Sequence, residues 1–576
     1  VLAATPVATL MFRFNNPDAL LILLLVAGAY ATVRAVETAS ARWLALAGAL
    51  VGFGYLTKML QAFLVVPAFA AAYLLAAPTG TLRRIRHLLL AGLAMVAAAG
   101  WWVAIVELMP AGARPYIGGS QRNSILELTF GYNGLGRITG DEEGSVGRSM
   151  GGQLYAGMFG GGGPGGGGRG GPASGEVGWF RLFGSELGGQ AGWLLPAALL
   201  LLVAGLVLIG RARRTDRARA GLVLWGGWLV VTGITFSFMR GIFHAYYTVA
   251  LAPAIGALVG AGAVLLWRRR RELPVAVALA VTLAVTAVWS YALLLRSAGW
   301  QPWLRPTVLV AGLVAAAALV VLTRLPRWAS VAVVTVGVAA AFAGPLGYAL
   351  DTAAQAHTGS IPSAGPSVQG GFGPGGGFRG AGFRGGRSAE GGFPGDGRRG
   401  GGQGPGGGQL PGGGQGPAGQ APGSAQASGG GQGPGGGQGP GGGQSTGGGN
   451  RGGMGGLLDA RTPSAQLRAL LSENADGYTW VAATVGSNNA AGFQLATGLP
   501  VMPVGGFNGS DPSPTLAQFQ EYVRAGKIHY FLGGEGFRAN GGSRASQEIA
   551  GWVAENYTAT TVDGETLYDL TAGPTG

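Results

Sequence analysis

Gly192-Trp193-Leu194-Leu195-Pro196-Ala197-Ala198-Leu199-Leu200-Leu201-Leu202-Val203-Ala204-Gly205-Leu206-Val207-Leu208-Ile209-Gly210 contains no charged or amide side chain and runs straight into Arg211-Ala212-Arg213-Arg214. A helix of ~20 apolar residues rises far enough to cross the hydrocarbon core of a bilayer, and a cluster of arginines at one end is what a cytoplasmic loop carries. Similar runs occur at 18–36, 42–57, 60–77, 87–106, 221–239, 246–267, 274–295, 306–323 and 328–350. The pair 42–57 and 60–77 is short, which fits tilted or partly re-entrant helices. One such run could be a buried core helix. Ten within 350 residues exceed what a soluble core can hide, so the chain reads as a multi-pass α-helical membrane protein with about ten spans.

Composition agrees once it is divided by region. Of 576 residues 114 are glycine, and 11% are charged while 48% are hydrophobic, with a mean hydropathy of +0.33. Soluble domains average roughly 7% glycine and 25% charged residues. A single soluble domain and a wholly disordered chain are both excluded. The net charge is +14, and every basic residue other than Lys58 and Lys527 is an arginine. With Asp18 placed outside, the inner turns hold Arg34, Arg42, Arg83, Arg84, Arg86, Arg211, Arg213, Arg214, Arg217, Arg219, Arg268 to Arg271, Arg324 and Arg327. The short outer connections hold only Lys58, Arg240, Arg296 and Arg305. This bias orients the chain in the plasma membrane. It also argues against a nucleic-acid partner, because the basic residues are spread over loop ends and form no aromatic-interleaved groove. Cysteine is absent and the four histidines are scattered, so no disulfide, thiolate or typical zinc spacing is available.

The domain organisation follows. Residues 1–350 form the membrane region, with an outer loop at 107–191 whose 144–178 stretch is glycine-rich. Residues 351–366 lead out of the membrane. The Gly/Gln/Pro tract at 367–456 repeats Gly-Gln-Gly-Pro-Gly-Gly-Gly and reads as a disordered linker. Residues 457–576 alternate strand and helix patterns, with strands at 480–485, 501–504, 528–532, 558–562 and 566–570 and helices near 463–473, 488–496, 515–525 and 544–555. That predicts a small parallel α/β domain outside the cell. Its Gly486-Ser487-Asn488-Asn489 turn suits either a ligand at a helix N-terminus or an ordinary asparagine cap.

Polar groups at the ends of apolar helices carry the candidate chemistry, since ionisable residues at a membrane bundle are expensive to keep. Arg13-Phe14-Asn15-Asn16-Pro17-Asp18 precedes the first long span. Arg13 could fork onto a phosphate with Asp18 orienting it, or the segment could be a helix cap with a snorkelling arginine. Lys58, in Leu56-Thr57-Lys58, fits a phosphate contact or an interfacial anchor. Arg240-Gly241-Ile242-Phe243-His244-Ala245-Tyr246-Tyr247-Thr248 gathers an arginine, a histidine and two tyrosines, suited to an anion or a sugar. Ser120-Gln121-Arg122-Asn123 and Asn133-Gly134 through Arg137 offer amides and arginines for sugar hydroxyls, or simply a surface loop. His357-Thr358-Gly359-Ser360 is a further loop candidate.

These elements resemble a known family. Arg13 to Asp18 is similar to the Arg-Tyr-x-x-x-Asp element of protein O-mannosyltransferases. The Leu-Thr-Lys and Phe-His-x-Tyr-Tyr-Thr turns resemble those of bacterial aminoarabinose and mannosyl transferases. Together with Tyr132-Asn133-Gly134-Leu135-Gly136-Arg137, the His-Thr-Gly-Ser exit and the Gly-Ser-Asn-Asn domain, they resemble the bacterial YkcA/YkcB-like mannosyltransferases over nearly all the ordered chain. Ala245 stands where such proteins often have proline. The resemblance implies a GT-C glycosyltransferase that moves a mannose-like hexose or a pentose from a polyprenyl-phosphate sugar to an envelope glycan, lipid or protein on the outer membrane face. A polyprenyl-phosphate sugar synthase would supply the donor. It assigns Arg13, Asp18, Lys58, Arg240 and His244 to the donor phosphate side and Asn15, Asn16, Tyr246 and Tyr247 to the pocket. The family's catalytic Asp-Glu loop is expected before Val1, so no catalytic residue is assigned here and the chain by itself is expected to be inactive. No cofactor is implied, and metal dependence stays open. A transporter and a membrane-anchored glycan-binding protein are the rival classes; the first should show inverted repeats and mid-bilayer charges, which the sequence lacks.

Overall fold

The computed structural model describes residues 1–141, 177–368 (apart from 211, 298, 358 and 367), 460, 462–533 and 542–573. The linker expected at 367–456 and nearly all of the glycine-rich stretch expected at 144–178 lie outside the described residues. Among the described residues, eight helical stretches are long and apolar enough to cross a membrane: Asp18–Thr38, Ala41–Ala76, Thr81–Leu108, Gly188–Ile209, Arg217–Phe238, Ala245–Trp267, Leu273–Leu295 and Arg327–Ala354. The ninth apolar helix, Leu304–Val320, is shorter, at 17 residues. The bundle is therefore multi-pass as expected, and each of the ten expected runs falls on a described helical stretch. The two short spans expected at 42–57 and 60–77 fall within one 36-residue stretch, which doubles back at Met59, where φ is 44°.

We label Pro6–Met11 α1, Asp18–Thr38 α2, Ala41–Lys58 α3, Val66–Ala76 α4 and Thr81–Leu108 α5. Past the reversal at Met59 the Phe63 ring stacks on Tyr55, 5.4 Å between centroids. At the other end Tyr73 and Ala76 of α4 share a buried cluster with Leu44 of α3, so the two legs run in opposite directions. Small residues set the closest approach. A Cβ added to Gly48 of α3 would lie 2.1 Å from the Ala91 carbonyl oxygen, and one added to Gly52 would lie 2.4 Å from that of Met95. Two glycines four residues apart thus let α3 and α5 meet backbone to backbone, the arrangement that substitutes for a hydrophobic drive between helices in lipid. On the opposite face of α5, Leu89, Leu93 and Val96 are each more than 60% exposed, a stripe at helical spacing suited to a lipid surround.

Past the bundle the last long helix runs to Ala354, a little beyond the expected boundary at 350. The segment after it folds back. Gln190 donates to the Ala364 carbonyl (3.1 Å) and accepts the Ala364 N–H (2.9 Å), and the Gly365 N–H reaches the Thr352 hydroxyl at 2.8 Å.

The C-terminal domain has strands β1 Trp480–Val485, β2 Val501–Val504, β3 Ile528–Leu532, β4 Ala559–Val562 and β5 Glu565–Asp569, ordered β2-β1-β3-β5-β4. Helices Ser487–Thr497 and Leu516–Arg524 make the crossovers, and β1 pairs parallel with β2 and β3. The sheet is mixed, which corrects the all-parallel expectation. β4 and β5 are joined by Asp563-Gly564, both at positive φ, and a two-residue turn of that kind closes an antiparallel hairpin. Both sheet faces are covered. Ala483, Val485, Phe519, Phe531 and Ile549 fill one side, and Leu467, Leu471, Ala482, Phe493 and Leu532 the other.

The α3–α5 contact yields a direct test. Gly52→Leu should destabilise the detergent-solubilised protein by about 1–3 kcal/mol through overpacking, read as a lowered thermal midpoint. Gly92, also on α5, has nothing within 4 Å of an added Cβ. Gly92→Ala should leave the midpoint unchanged or raise it.

Candidate functional site

The sequence between α1 and α2 is shaped to deliver one carboxylate. Asn16 accepts the Asp18 N–H through its side-chain oxygen at 2.9 Å, and Pro17 caps the helix that Asp18 begins. The Asp18 side chain is fully buried at a helix N-terminus, where backbone dipoles favour negative charge. Lys58 closes α3. The reversal at Met59 turns the chain there, and the Lys58 ammonium meets both Asp18 oxygens, at 2.7 and 2.6 Å.

The turn before Ala245–Trp267 forms the next wall. Lys58 Nζ lies 4.3 Å from the Tyr247 ring centre and 5.3 Å from that of Tyr246, within cation–π range. His244 stacks on Tyr246 at 5.4 Å and meets Tyr247 edge-on at 5.3 Å. Burial first, and then the positive charges of Arg137 and Lys58, push the His244 imidazole down to about 3. The ring is therefore neutral at physiological pH.

The outer loop supplies the roof. Its helices Ile125–Phe130 (α6) and Gly136–Thr139 (α7) flank a short turn at Gly131–Leu135. Thr129 shares a 2.8 Å hydrogen bond with the Tyr55 hydroxyl, and the Asn133 amide lies 3.3 Å from the Met59 sulfur. Arg137 covers the Tyr132 ring at 4.6 Å and donates to the Ile242 carbonyl at 3.2 Å. The backbones clip together there: Arg240 N–H to Ile138 O at 3.0 Å and Gly241 N–H to Arg137 O at 2.9 Å.

The structure thus brings Asp18, Lys58, His244, Tyr246 and Tyr247 into one cluster, with Asn16 beside it holding the Asp18 amide. Arg13 stands apart. It donates to the Ala353 carbonyl at 2.7 Å and so ties the first loop to the last turn of Arg327–Ala354, a favourable place for a cation. Asn15 and the Arg240 side chain are exposed, and Arg240 joins only through its backbone. Arg137 is the addition, and Tyr132-Asn133-Gly134-Leu135-Gly136-Arg137 is the sequence signal for it. Gln121 and Arg122 instead shape their own loop, each giving its N–H to the Glu127 carboxylate at 2.8 Å. The His357 ring bonds the Thr352 carbonyl at 2.9 Å. Among the described residues no group of three or more His, Asp or Glu side chains could hold a metal.

A lysine, an arginine, a neutral imidazole and two phenols converge at one end of an apolar bundle. Comparison with known proteins adds what geometry alone does not. The family model of dolichyl-phosphate-mannose-protein mannosyltransferases matches residues 1–103, and the model named for the C-terminal region of YkcB-like mannosyltransferases matches residues 467–556. The chain is 30% identical to "Putative mannosyltransferase YkcB" of Bacillus subtilis (strain 168), over 96% of its own length and 75% of that protein. It is 26% identical to "Putative mannosyltransferase YycA" of the same organism, over 96% and 77%. No solved structure matches it. Fold and matches together define a membrane-bound glycosyltransferase of the GT-C class. Within that class, the chain belongs to the YkcB-like mannosyltransferase family.

The depressed His244 gives a signed prediction. The folded protein disfavours the proton that an unfolded histidine accepts near pH 6.5, so stability is lost as pH falls through that value toward 3. Between pH 7 and 5 the wild type should lose on the order of 1–2 kcal/mol more stability than His244→Gln, measured as the difference in thermal-midpoint shift. Equal shifts would show that His244 protonates as freely as in water.

Proposed function

We propose that the chain transfers a mannose-like hexose or a pentose from a polyprenyl-phosphate donor to an acceptor at the outer face of the plasma membrane. The observation that supports this most is the Asp18–Lys58 pair under Tyr246, Tyr247, His244 and Arg137. The matching family's name includes a dolichyl-phosphate sugar, a lipid phosphate of the kind such a cluster would accept. Lys58 and Arg137 would stabilise the negative charge on the departing lipid phosphate, with Asp18 fixing the ammonium. The neutral His244 and the tyrosine hydroxyls would take sugar or phosphate oxygens by hydrogen bonds. The base that deprotonates the acceptor is assigned to no residue of this chain. Arginine bias supports an outward Asp18 end, with the C-terminal domain on the same side. An envelope glycan, lipid or protein is the acceptor in this reading, a polyprenyl-phosphate sugar synthase feeds the donor, and nucleic acid has no part.

Removing Lys58 alone would strand a buried carboxylate and cost about 3–5 kcal/mol, so lost activity could reflect unfolding. The double variant Asp18→Asn/Lys58→Gln leaves no charge stranded. It should keep a thermal midpoint close to that of the wild type and lose at least about a hundredfold in release of polyprenyl phosphate from labelled donor, consistent with loss of a stabilising group. Arg13→Ala should change the rate by no more than about twofold, because its hydrogen bond to Ala353 is exposed and of small net worth. Near wild-type turnover by the stable double variant, or no turnover of any mannose, other hexose or pentose donor by the natural full-length protein, would overturn the proposal.

A further inference from the structure

Two loops of the C-terminal domain reach the membrane region, and both leave the carboxyl ends of parallel strands. After β1, Asn488 donates its side-chain N–H to the Ser360 hydroxyl at 2.8 Å. After β2, the turn running from Gly505 brings Asp511 to the outer loop, where its carboxylate accepts the Gly119 N–H at 2.9 Å. Asp511 is 4% exposed. The space around that bond is kept by Gly506. A Cβ on Gly506 would lie 2.0 Å from Asp511 Oδ2, whereas one on Gly118 would make only an ordinary 3.7 Å contact with it. Gly119 itself has φ of 82°, which an L side chain rarely adopts. An acceptor oxygen, an N–H donor and one cleared flank together make a seat for one carboxylate. The carboxyl ends of parallel strands are also where open α/β sheets hold their ligands.

The seat connects to the roof of the site through fixed contacts. A Cβ at Gly119 would lie 3.3 Å from Leu128 Cδ1, on α6. Glu127 of that helix accepts the N–H groups of Gln121 and Arg122. Glu107, at the end of α5, accepts from the Ser124 hydroxyl at 2.6 Å and the Leu126 N–H at 3.0 Å. One residue beyond Leu128, Thr129 bonds Tyr55, and Met59, next to Lys58, lies under Asn133.

We propose that the C-terminal domain clamps the outer loop through Asp511, which thereby positions the roof over the Asp18–Lys58 pair. Asp511 is a positioning residue, and Asn488 on Ser360 is the clamp's second foot. The clamp does not depend on the sugar or the acceptor, and its test reads no transfer activity.

Hydrogen exchange on the full chain decides it. Asp511→Ala should speed exchange of amides in 119–135 about tenfold, the loss of one hydrogen bond to a charged acceptor, while amides of β1 keep their protection. Asp511→Asn, which retains an acceptor oxygen, should restore part of the difference. The chain has no cysteine, so Ser360→Cys/Asn488→Cys can be joined by a short bis-maleimide, and adding Asp511→Ala should lower the intramolecular yield several-fold. Unchanged exchange at 119–135 together with an unchanged yield would overturn the clamp. If Asp511→Ala exposes the β1 amides and so unfolds the domain, Asp511→Asn and Asn488→Ala decide by the same comparison: faster exchange at 119–135 with β1 protected supports the clamp, and unchanged exchange overturns it.

Discussion

A carboxylate taken out of water at the mouth of an apolar bundle stays charged only if a cation comes to it, and the chain turns sharply at Met59 directly after the lysine that does so. The desolvation of such a pair roughly cancels its attraction, so apolar residues of the same size would serve stability as well or better. Retaining the pair makes sense if the ammonium is wanted for something else. Two of its three protons are held by Asp18, and its remaining face lies against Tyr247. The result is a fixed positive charge whose position is set by α2, α3 and the Tyr246-Tyr247 turn together. A ligand phosphate arriving there would meet a cation that is already oriented, with little reorganisation to make.

What the sequence made legible follows physical rules of different reach. Spans were legible because a bilayer demands about 20 apolar residues wherever it is crossed, and the helices of the C-terminal domain because period and caps are local. Lys58 stood out as the one lysine in an arginine-using membrane region. Arg13 did not resolve, because its partner, the Ala353 carbonyl, lies 340 residues away and helix C-termini advertise nothing about which arginine will meet them. Adjacency in sequence made Arg13 and Asp18 look like one element, whereas the turn at Asn16-Pro17 separates them. The β4–β5 hairpin was legible in principle, since Asp563-Gly564 is a strong two-residue turn signal. The preceding βα alternation masked it.

The loop residues show why charge in a sequence is ambiguous between shaping and binding. Ser120 to Asn123 looked like groups for sugar hydroxyls or plain surface, and Glu107 and Glu127 carried no reading at all. In the fold the two carboxylates shape the loop itself: Glu127 takes the Gln121 and Arg122 N–H groups, and Glu107 takes the Ser124 hydroxyl and the Leu126 N–H. A loop without regular structure has donors that need partners, and short carboxylates are the cheapest way to supply them. Arg137 escapes that use only in part, since it bonds Ile242 yet still faces Tyr132 and acts on His244.

This difference in how the walls are built separates their roles. The floor of the cluster is carried by long helices locked by close glycine contacts, and lipid surrounds them. The roof is carried by a loop whose shape rests on a few carboxylate hydrogen bonds, and loops of that kind open more readily than packed helices. For the transfer proposed above, a site admitting a lipid donor from the bilayer and an acceptor from the aqueous side would need one immobile wall and one that can yield. The fixed charge on the helices and the hydrogen-bonded roof above it meet that requirement. Any group that grips the roof from outside, as Asp511 does at Gly119, acts on the wall with the smaller free-energy gap and therefore has the greater leverage on access.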